Sequence, residues 1–246
     1  MNEIIAIVSR KGGSAKTTTA QCLADGIRRT GASVLLIDLD SQYNLTTAMG
    51  ADPAALNSTD LFEADAKPAR LIQHTDNGDI IAGSPHLAAG DVMLKDNNRL
   101  KQVIKPFAAM YDFIILDLPA SYGRLVMNAL NAATMAIITL EPATFSADGL
   151  AELSRIIKSI RKTNRKLQLR GILITRCDSR SNEAKRTIEE IREAAGEIGT
   201  EVLEPPIRST AKVFEAQRRK VNLFDYAPKC TAALDYAAVT KLLLNQ

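Results

Sequence analysis

SRKGGSAKTTTAQCLADGIRR (residues 9–29) follows the apolar run EIIAIV (3–8) and leads into a stretch with helical periodicity. The order is strand, glycine-containing loop, then a helix that starts with Lys16, Thr17 and Thr18, which is the geometry of a phosphate cradle. Backbone N–H groups of Gly12, Gly13, Ser14 and Ala15 form an anion nest, and the helix N-terminus adds a favourable dipole. Lys16 would reach the β- and γ-phosphates of a nucleotide, and the Thr17 hydroxyl would ligate Mg²⁺. The usual spacing of glycines is not met, because Arg10 and Ala15 occupy the two glycine positions. A second lysine, Lys11, stands in front of Gly12 and Gly13 and adds a cation near the phosphates. If the Ala15 position needs a positive φ, alanine costs about 1–2 kcal/mol there. Several N–H groups, Lys16 and Mg²⁺ together can exceed that cost. Nucleotide binding is therefore expected to survive, with slower or weaker hydrolysis as the consequence of a displaced loop.

Working outward from this stretch, short apolar runs alternate with helical segments. The runs are EIIAIV (3–8), SVLLIDL (33–39), GDIIAG (78–83), YDFIILDL (111–118), TMAIITL (134–140) and LRGILIT (169–175). Most are apolar throughout, as expected of strands buried on both faces of a parallel sheet. Helices are predicted near 16–30, 97–109, 122–132, 145–163, 181–197 and 230–245. The alternation predicts an α/β fold: a doubly wound, mostly parallel sheet with helices on both faces, read as a single domain over 1–246. Ligands of such sheets sit at the carboxyl ends of the strands.

Two acid-tipped strands point to that edge. VLLIDLDSQYNLTT (34–47) carries Asp38 and Asp40, which share a side if both lie on the strand. YDFIILDLPASYG (111–123) leads four apolar residues into Asp117, a Walker B arrangement that holds Mg²⁺ through water. Asp112 caps or solvates the start of that strand.

With Lys11, Gly12, Gly13, Lys16 and Thr17, the loop reads KGGxxK[ST] and resembles the deviant Walker A loop of the ParA/MinD family of P-loop ATPases. The segments at 34–47 and 111–123 resemble that family's LLIDLDPQGN and YDYIIIDCPPS. Ser41 replaces a proline, Tyr43 a glycine and Ala120 a proline, while Ser121 matches. MNALNAATMAIITLEPATFSADGLAEL (127–153), ITRCD (174–178) and EPPIRSTAKVFEA (204–216) extend the likeness over nearly the whole chain. The resemblance implies that Lys11 crosses to the nucleotide of a second subunit, so that ATP becomes part of a homodimer interface. It also implies that Asp40 positions the attacking water and that Asp38 supports the phosphate loop and Mg²⁺. Lys11, Lys16 and Asp40 are thus the catalytic candidates, and Thr17, Asp38 and Asp117 the Mg²⁺ candidates. Thr175, Arg176 and Pro206 fall where the family has its adenine-side loops.

Composition narrows the class. No apolar run reaches the length of a membrane span, and the N-terminus does not read as a signal peptide. Cys22, Cys177 and Cys230 are far apart without a CxxC pair, which argues for a reducing compartment and against a zinc site or a disulfide framework. Within the resembling family, the nitrogenase iron protein and the iron–sulfur scaffold ATPases need cysteines that are missing here. MinD ends in a basic amphipathic membrane helix, whereas CTAALDYAAVTKLLLNQ reads as a core-packed terminal helix. No helix-turn-helix precedes the sheet. The likeness is therefore to the short ParA/Soj type.

Aromatic residues are only 4% of the chain, which argues against stacking platforms for single strands. Residues 1–150 hold 12 Lys/Arg against 16 Asp/Glu, and residues 151–246 hold 19 against 12. A basic second half suits a polyanion. SRIIKSIRKTNRKLQLR (154–170) has seven Lys/Arg and no acid. On a helix, Arg155, Lys158 and Lys162 would share one face, and Lys158, Arg161 and Arg165 another. Arg218, Arg219 and Lys220 form a second cluster, which the resemblance favours for phosphate contacts without base readout.

The resemblance therefore implies a partition ATPase, cytoplasmic and nucleoid-associated, without a membrane site. Its ATP-bound homodimer would bind double-stranded DNA non-specifically, and a ParB-like centromere-binding protein would stimulate hydrolysis, driving plasmid or chromosome segregation. Three alternatives stay open. One is a related ATPase that positions another cargo, such as a microcompartment or chemoreceptor cluster. Another is a slow or silent nucleotide-gated binding module or repressor. The third is an ATP-dependent ligase, for which no small-substrate residues are evident.

Overall fold

EIIAIV, VLLID and FIILD are apolar at successive positions, so their strands must bury both faces. The computed structural model places all three in the middle of one sheet. It describes residues 2–63, 67–88, 96–121, 123–178 and 181–245. The strands are β1 (Glu3–Val8), β2 (Val34–Asp38), β3 (Ile72–Thr75), β4 (Gly78–Ile81), β5 (Phe113–Asp117), β6 (Met135–Leu140), β7 (Gln168–Ile174) and β8 (Val202–Leu203). Their order across the sheet is β3-β4-β2-β5-β1-β6-β7-β8. Only β3–β4 is antiparallel among these pairs.

The helices are α1 (Lys16–Arg28), α2 (Asn44–Met49), α3 (Arg99–Val103), α4 (Arg124–Ala132), α5 (Ala147–Ile160), α6 (Asn182–Ile198), α7 (Ala211–Arg218), α8 (Leu223–Tyr226) and α9 (Thr231–Leu244). Alternate side chains of each strand feed two separate cores. Ala6 and Val8 of β1 join a core completed by residues of α3, α4, α5 and α6. Ile5 and Ile7 join one completed by α1, α2, α7, α8 and α9. This is the doubly wound α/β sheet that the apolar runs predict. Each fully buried Ile or Leu contributes about 1.5–3 kcal/mol.

Gly26 shows how closely the terminal helix packs. A Cβ at this mid-helix position of α1 would lie 2.6 Å from the Thr240 hydroxyl of α9.

Several boundaries differ from expectation. The segment 97–109 is not one helix: α3 stops at Val103 and a separate 3₁₀ turn spans Phe107–Ala109. Pro106, which lacks an N–H, stands between them. The helix expected over 145–163 is α5. Phe145 is extended and Ser146 caps the first turn by accepting from the Gly149 N–H at 3.3 Å, so the helix begins at Ala147. It ends at Ile160, and Asn164 turns inward to donate to the Leu130 and Ala133 carbonyls at 3.0 and 2.7 Å. Lys162 and Arg165 are thus off the helix, and neither the face expected for Arg155, Lys158 and Lys162 nor that for Lys158, Arg161 and Arg165 forms as a helical stripe. Tyr122, first residue of the helix expected at 122–132, lies outside the described residues.

Register aligns the strand ends that matter. Asp117 of β5 sits level with Ile7 of β1 on one side and Asp38 of β2 on the other. The loop leaving β1 therefore emerges beside both acids.

Candidate nucleotide-binding site

The loop from Ser9 to Ala15 joins β1 to α1. Gly13 has φ 83°, and Ala15, the residue before the helix, has φ 57° and ψ 30°. The position does require the left-handed region, and alanine occupies it. Neighbouring strands tie the loop down. Ser14 Oγ lies 3.2 Å from Thr139 Oγ1 of β6, and the Thr175 hydroxyl donates to the Ser14 carbonyl at 3.1 Å. The Arg176 guanidinium donates to the Gly13 carbonyl at 3.3 Å. The first turn of α1 carries no acid, so its free N–H groups and dipole remain available to an anion.

Lys16 is 7% exposed and sits among carboxylates. Burial lowers its pKa, opposed by the charges of Asp117 and then Asp40. Thr17 donates its hydroxyl to Asp117 Oδ2 at 2.7 Å. The other oxygen of Asp117, Oδ1, is buried without a hydrogen-bond partner among the described residues. Burial pushes this carboxyl up to about 8, and the nearby Asp38 charge adds to the shift. A buried oxygen without a donor beside a threonine hydroxyl fits a divalent cation whose remaining ligands are phosphate and water. Among the described residues no group of three or more His, Cys, Asp or Glu could hold a metal by itself, so phosphate would have to complete the shell.

Asp38 is placed differently from expectation. It is fully buried. Its Oδ2 accepts from the Thr46 N–H (2.9 Å) and hydroxyl (2.7 Å), and its Oδ1 accepts from the Asp40 N–H at 3.1 Å. Both oxygens thus hold α2 and the loop after β2. Burial still raises its pKa to about 6. The fit is tight, because a Cβ on Gly83 would lie 2.7 Å from the Asp38 carboxyl carbon. Asp40 is also not on the strand. β2 ends at Asp38, and Asp40 stands half-buried in the following loop, where it lines the cleft.

A cleft of about 810 Å³ runs from the Gly12–Thr18 region past Asp40 to Thr175, Arg176, the segment 207–210 and α7. Gly12, Gly13, Ala15, Lys16, Thr17 and Thr18 line it, as do Thr175, Arg176 and Arg218. Ser14 does not; it lines a second cavity of about 370 Å³ together with Arg10 and Lys11. The exposed Lys11 lines that second cavity, whereas Lys16 lines the cleft. Pro206 does not line the cleft either; the residues that follow it do, from Ile207 to Thr210. The cleft wall begins where the chain re-enters the sheet edge at Ile207, whose N–H bonds the Ile174 carbonyl at 2.8 Å.

Tyr43, where a glycine is expected, has φ 41° and precedes α2. The backbone keeps the shape that a glycine would give, again with a side chain in the left-handed region. Arg218, Arg219 and Lys220 are exposed at the end of α7. The Arg218 guanidinium lies 5.9 Å from the centre of the Phe214 ring, and that of Arg219 lies 5.3 Å from Tyr226. Arg155, Lys158, Arg161, Lys162 and Arg165 are exposed around α5 and its exit. Sequence reasoning did not single out Thr46, Arg208, Phe214, Gln217 or Tyr236. Thr210 followed by AKVFEAQR is a cap and a helix-forming run, a signal that could have located the α7 wall.

Comparison with known proteins agrees with this geometry. The AAA domain family (AAA_31) matches residues 2–169. Sporulation initiation inhibitor protein Soj of Bacillus subtilis is 30% identical over 250 residues, covering 98% of each chain. Chromosome partitioning protein ParA of Myxococcus xanthus is 31% identical over 256 residues, covering 100% of this chain and 89% of its own. Among solved structures, the cobyrinic acid a,c-diamide synthase of Mycobacterium smegmatis with bound ADP and magnesium superposes with a TM-score of 0.86 at 29% identity, covering 99% of this chain and 94% of that one.

Proposed function

The chain belongs to the ParA/MinD family of P-loop ATPases, and from that premise we propose that it is a ParA-type partition ATPase that binds Mg²⁺·ATP in the cleft above β1. The observation that carries this reading is the Thr17–Asp117 pair, with its partnerless Oδ1, beside Lys16. Thr17 and Asp117 would hold Mg²⁺, which when bound supplies positive charge to the phosphates. Loop N–H groups and Lys16 orient the triphosphate. Asp40, freed from the strand and lining the cleft, accepts a hydrogen bond from the water that attacks the γ-phosphorus. ADP leaves with the bridging oxygen.

Lys11 is exposed and does not line the cleft of its own chain. This supports a role across a homodimer, where its charge would meet the partner's nucleotide. The dimer would then present Arg218, Arg219 and Lys220, with the α5 cluster as a second surface, to double-stranded DNA on the nucleoid. A ParB-like centromere-binding partner would stimulate hydrolysis, part the dimer and release DNA. Among the described residues no helix is long and apolar enough to cross a membrane.

The test is binding to random-sequence duplex DNA at fixed moderate salt with ATP, ADP or no nucleotide. ATP-dependent binding that is lost in Lys16→Ala and Lys11→Ala supports the reading. Binding indifferent to nucleotide contradicts it.

One observation favours a second reading. Ala15 in the left-handed region strains the loop beside the γ-phosphate position, which suits a slow, nucleotide-gated binding module. Turnover near zero even with partner and DNA present would select it.

A further inference from the structure

Two consecutive residues of α9 hold two ends of the cleft. Tyr236 is 1% exposed, and its hydroxyl lies 3.0 Å from Thr19 Oγ1, in the first turn of α1 behind the phosphate loop. Asp235 is 3% exposed and gives both carboxylate oxygens to Arg208. Its Oδ2 accepts from the Arg208 backbone N–H and from Nε, each at 2.9 Å, and its Oδ1 accepts from a terminal guanidinium nitrogen at 2.7 Å. One buried carboxylate therefore fixes both the backbone and the side chain of Arg208.

Arg208 belongs to the segment 207–210 that lines the cleft. That segment runs beside the exit of β7: the Cys177 N–H bonds the Ile207 carbonyl at 2.9 Å, and the Ser209 N–H bonds the Cys177 carbonyl at 3.0 Å. In the sheet, β6 and β7 separate it from β1. At about 4.8 Å per strand, it lies roughly 14 Å from the strand that feeds the phosphate loop. A nucleotide held by its phosphates at the loop would extend its nucleoside toward this wall. The backbone bonds to Cys177, with that from the Ile207 N–H to the Ile174 carbonyl, hold the main chain of the wall to the β7 exit. The charge-assisted, two-pronged contact to Asp235 adds a hold on the Arg208 side chain.

We propose that Asp235 is a positioning residue for the nucleoside: through Arg208 it sets the 207–210 wall, while the phosphate end of the cleft is independent of it. This rests on the nucleotide-binding reading above. Tyr236, the next residue, serves the phosphate end through Thr19, so one turn of the terminal helix braces both ends separately.

The test separates the two ends. Full-length wild type, Asp235→Asn and Arg208→Gln are titrated by calorimetry with ADP and with tripolyphosphate, both with Mg²⁺. Asparagine keeps the volume and one acceptor, so the fold is retained for the comparison. In both variants the Kd for ADP should rise about tenfold, the loss of one charge-assisted contact, while tripolyphosphate changes by less than about twofold. A merely structural role would weaken both ligands equally, and that result overturns the proposal, as does no change in either. A wild-type chain that binds neither ligand overturns the nucleotide-binding reading itself, and this inference with it.

Discussion

Thr17 and Asp117 are joined by a 2.7 Å hydrogen bond that uses only one side of the carboxylate, and the other side is buried with no donor among the described residues. A buried acceptor left unpaired costs about 1–3 kcal/mol, so the site is poised for a cation or a donor. Asp117→Asn keeps an acceptor for Thr17 and removes the charge. It should leave Mg²⁺-free ATP binding within about twofold while weakening Mg²⁺·ATP by at least about tenfold. Calorimetry with and without Mg²⁺ reads both, and an equal loss in the two conditions would refute the metal assignment.

Ala15 sits at φ 57° and carries a cost of about 1–2 kcal/mol, partly offset by the entropy a glycine would lose on folding. Ala15→Gly is therefore expected to raise stability by up to about 1 kcal/mol. Urea midpoints at constant m-value would show it. A lower midpoint for the glycine variant would mean that the surrounding contacts of Ser14 and Thr175 already absorb the strain.

Burial lifts Asp38 from 3.8 to about 6 despite the hydrogen bonds that favour its charge. The native state thus keeps a proton that the unfolded state has lost. The stability owed to this group is complete below about pH 4 and disappears as pH rises through about 6. Asp38→Asn does not titrate, so its denaturation midpoint should vary less with pH over that interval. Parallel pH profiles for the two proteins would contradict the assignment.

Arg218→Ala, Arg219→Ala and Lys220→Ala together should weaken random-duplex binding and flatten the log–log salt dependence by about 2–3 units, one phosphate contact per cation. The matching triple change of Lys158, Arg161 and Arg165 should flatten it less, because Arg165 leaves the helix face of the other two. The reverse ranking would move the DNA surface to the α5 side.

The central strands and the phosphate loop were legible because both are written locally. Unbroken apolar runs have no other home than a doubly covered sheet, and a loop of Gly12, Gly13 and Lys16 between strand and helix has little other use. What escaped was either short or set by distant contacts. β3 is IQHT, mostly polar and half-exposed, and β8 has only two residues. Neither has the length to show a period. Asp38 read as one of a pair with Asp40, and only the fold brings Thr46 back to occupy Oδ2 while the Asp40 N–H takes Oδ1. Pro206 was one residue short of the wall that begins at Ile207, because nothing in EPPIRST marks where the chain re-enters the sheet edge. The departures from glycine at Ala15 and Tyr43 were visible in the sequence, but the left-handed backbone at both positions was not.

The two margins of the sheet constrain how copies could join. One margin is β3, four residues turned back antiparallel on β4; the other is β8, two residues long. Truncated, reversed rims of this kind give little purchase for strand-to-strand zippering between molecules. Any higher-order array of this chain would accordingly be stitched together through loops and helix flanks. A continuous cross-molecular sheet is disfavoured by the architecture.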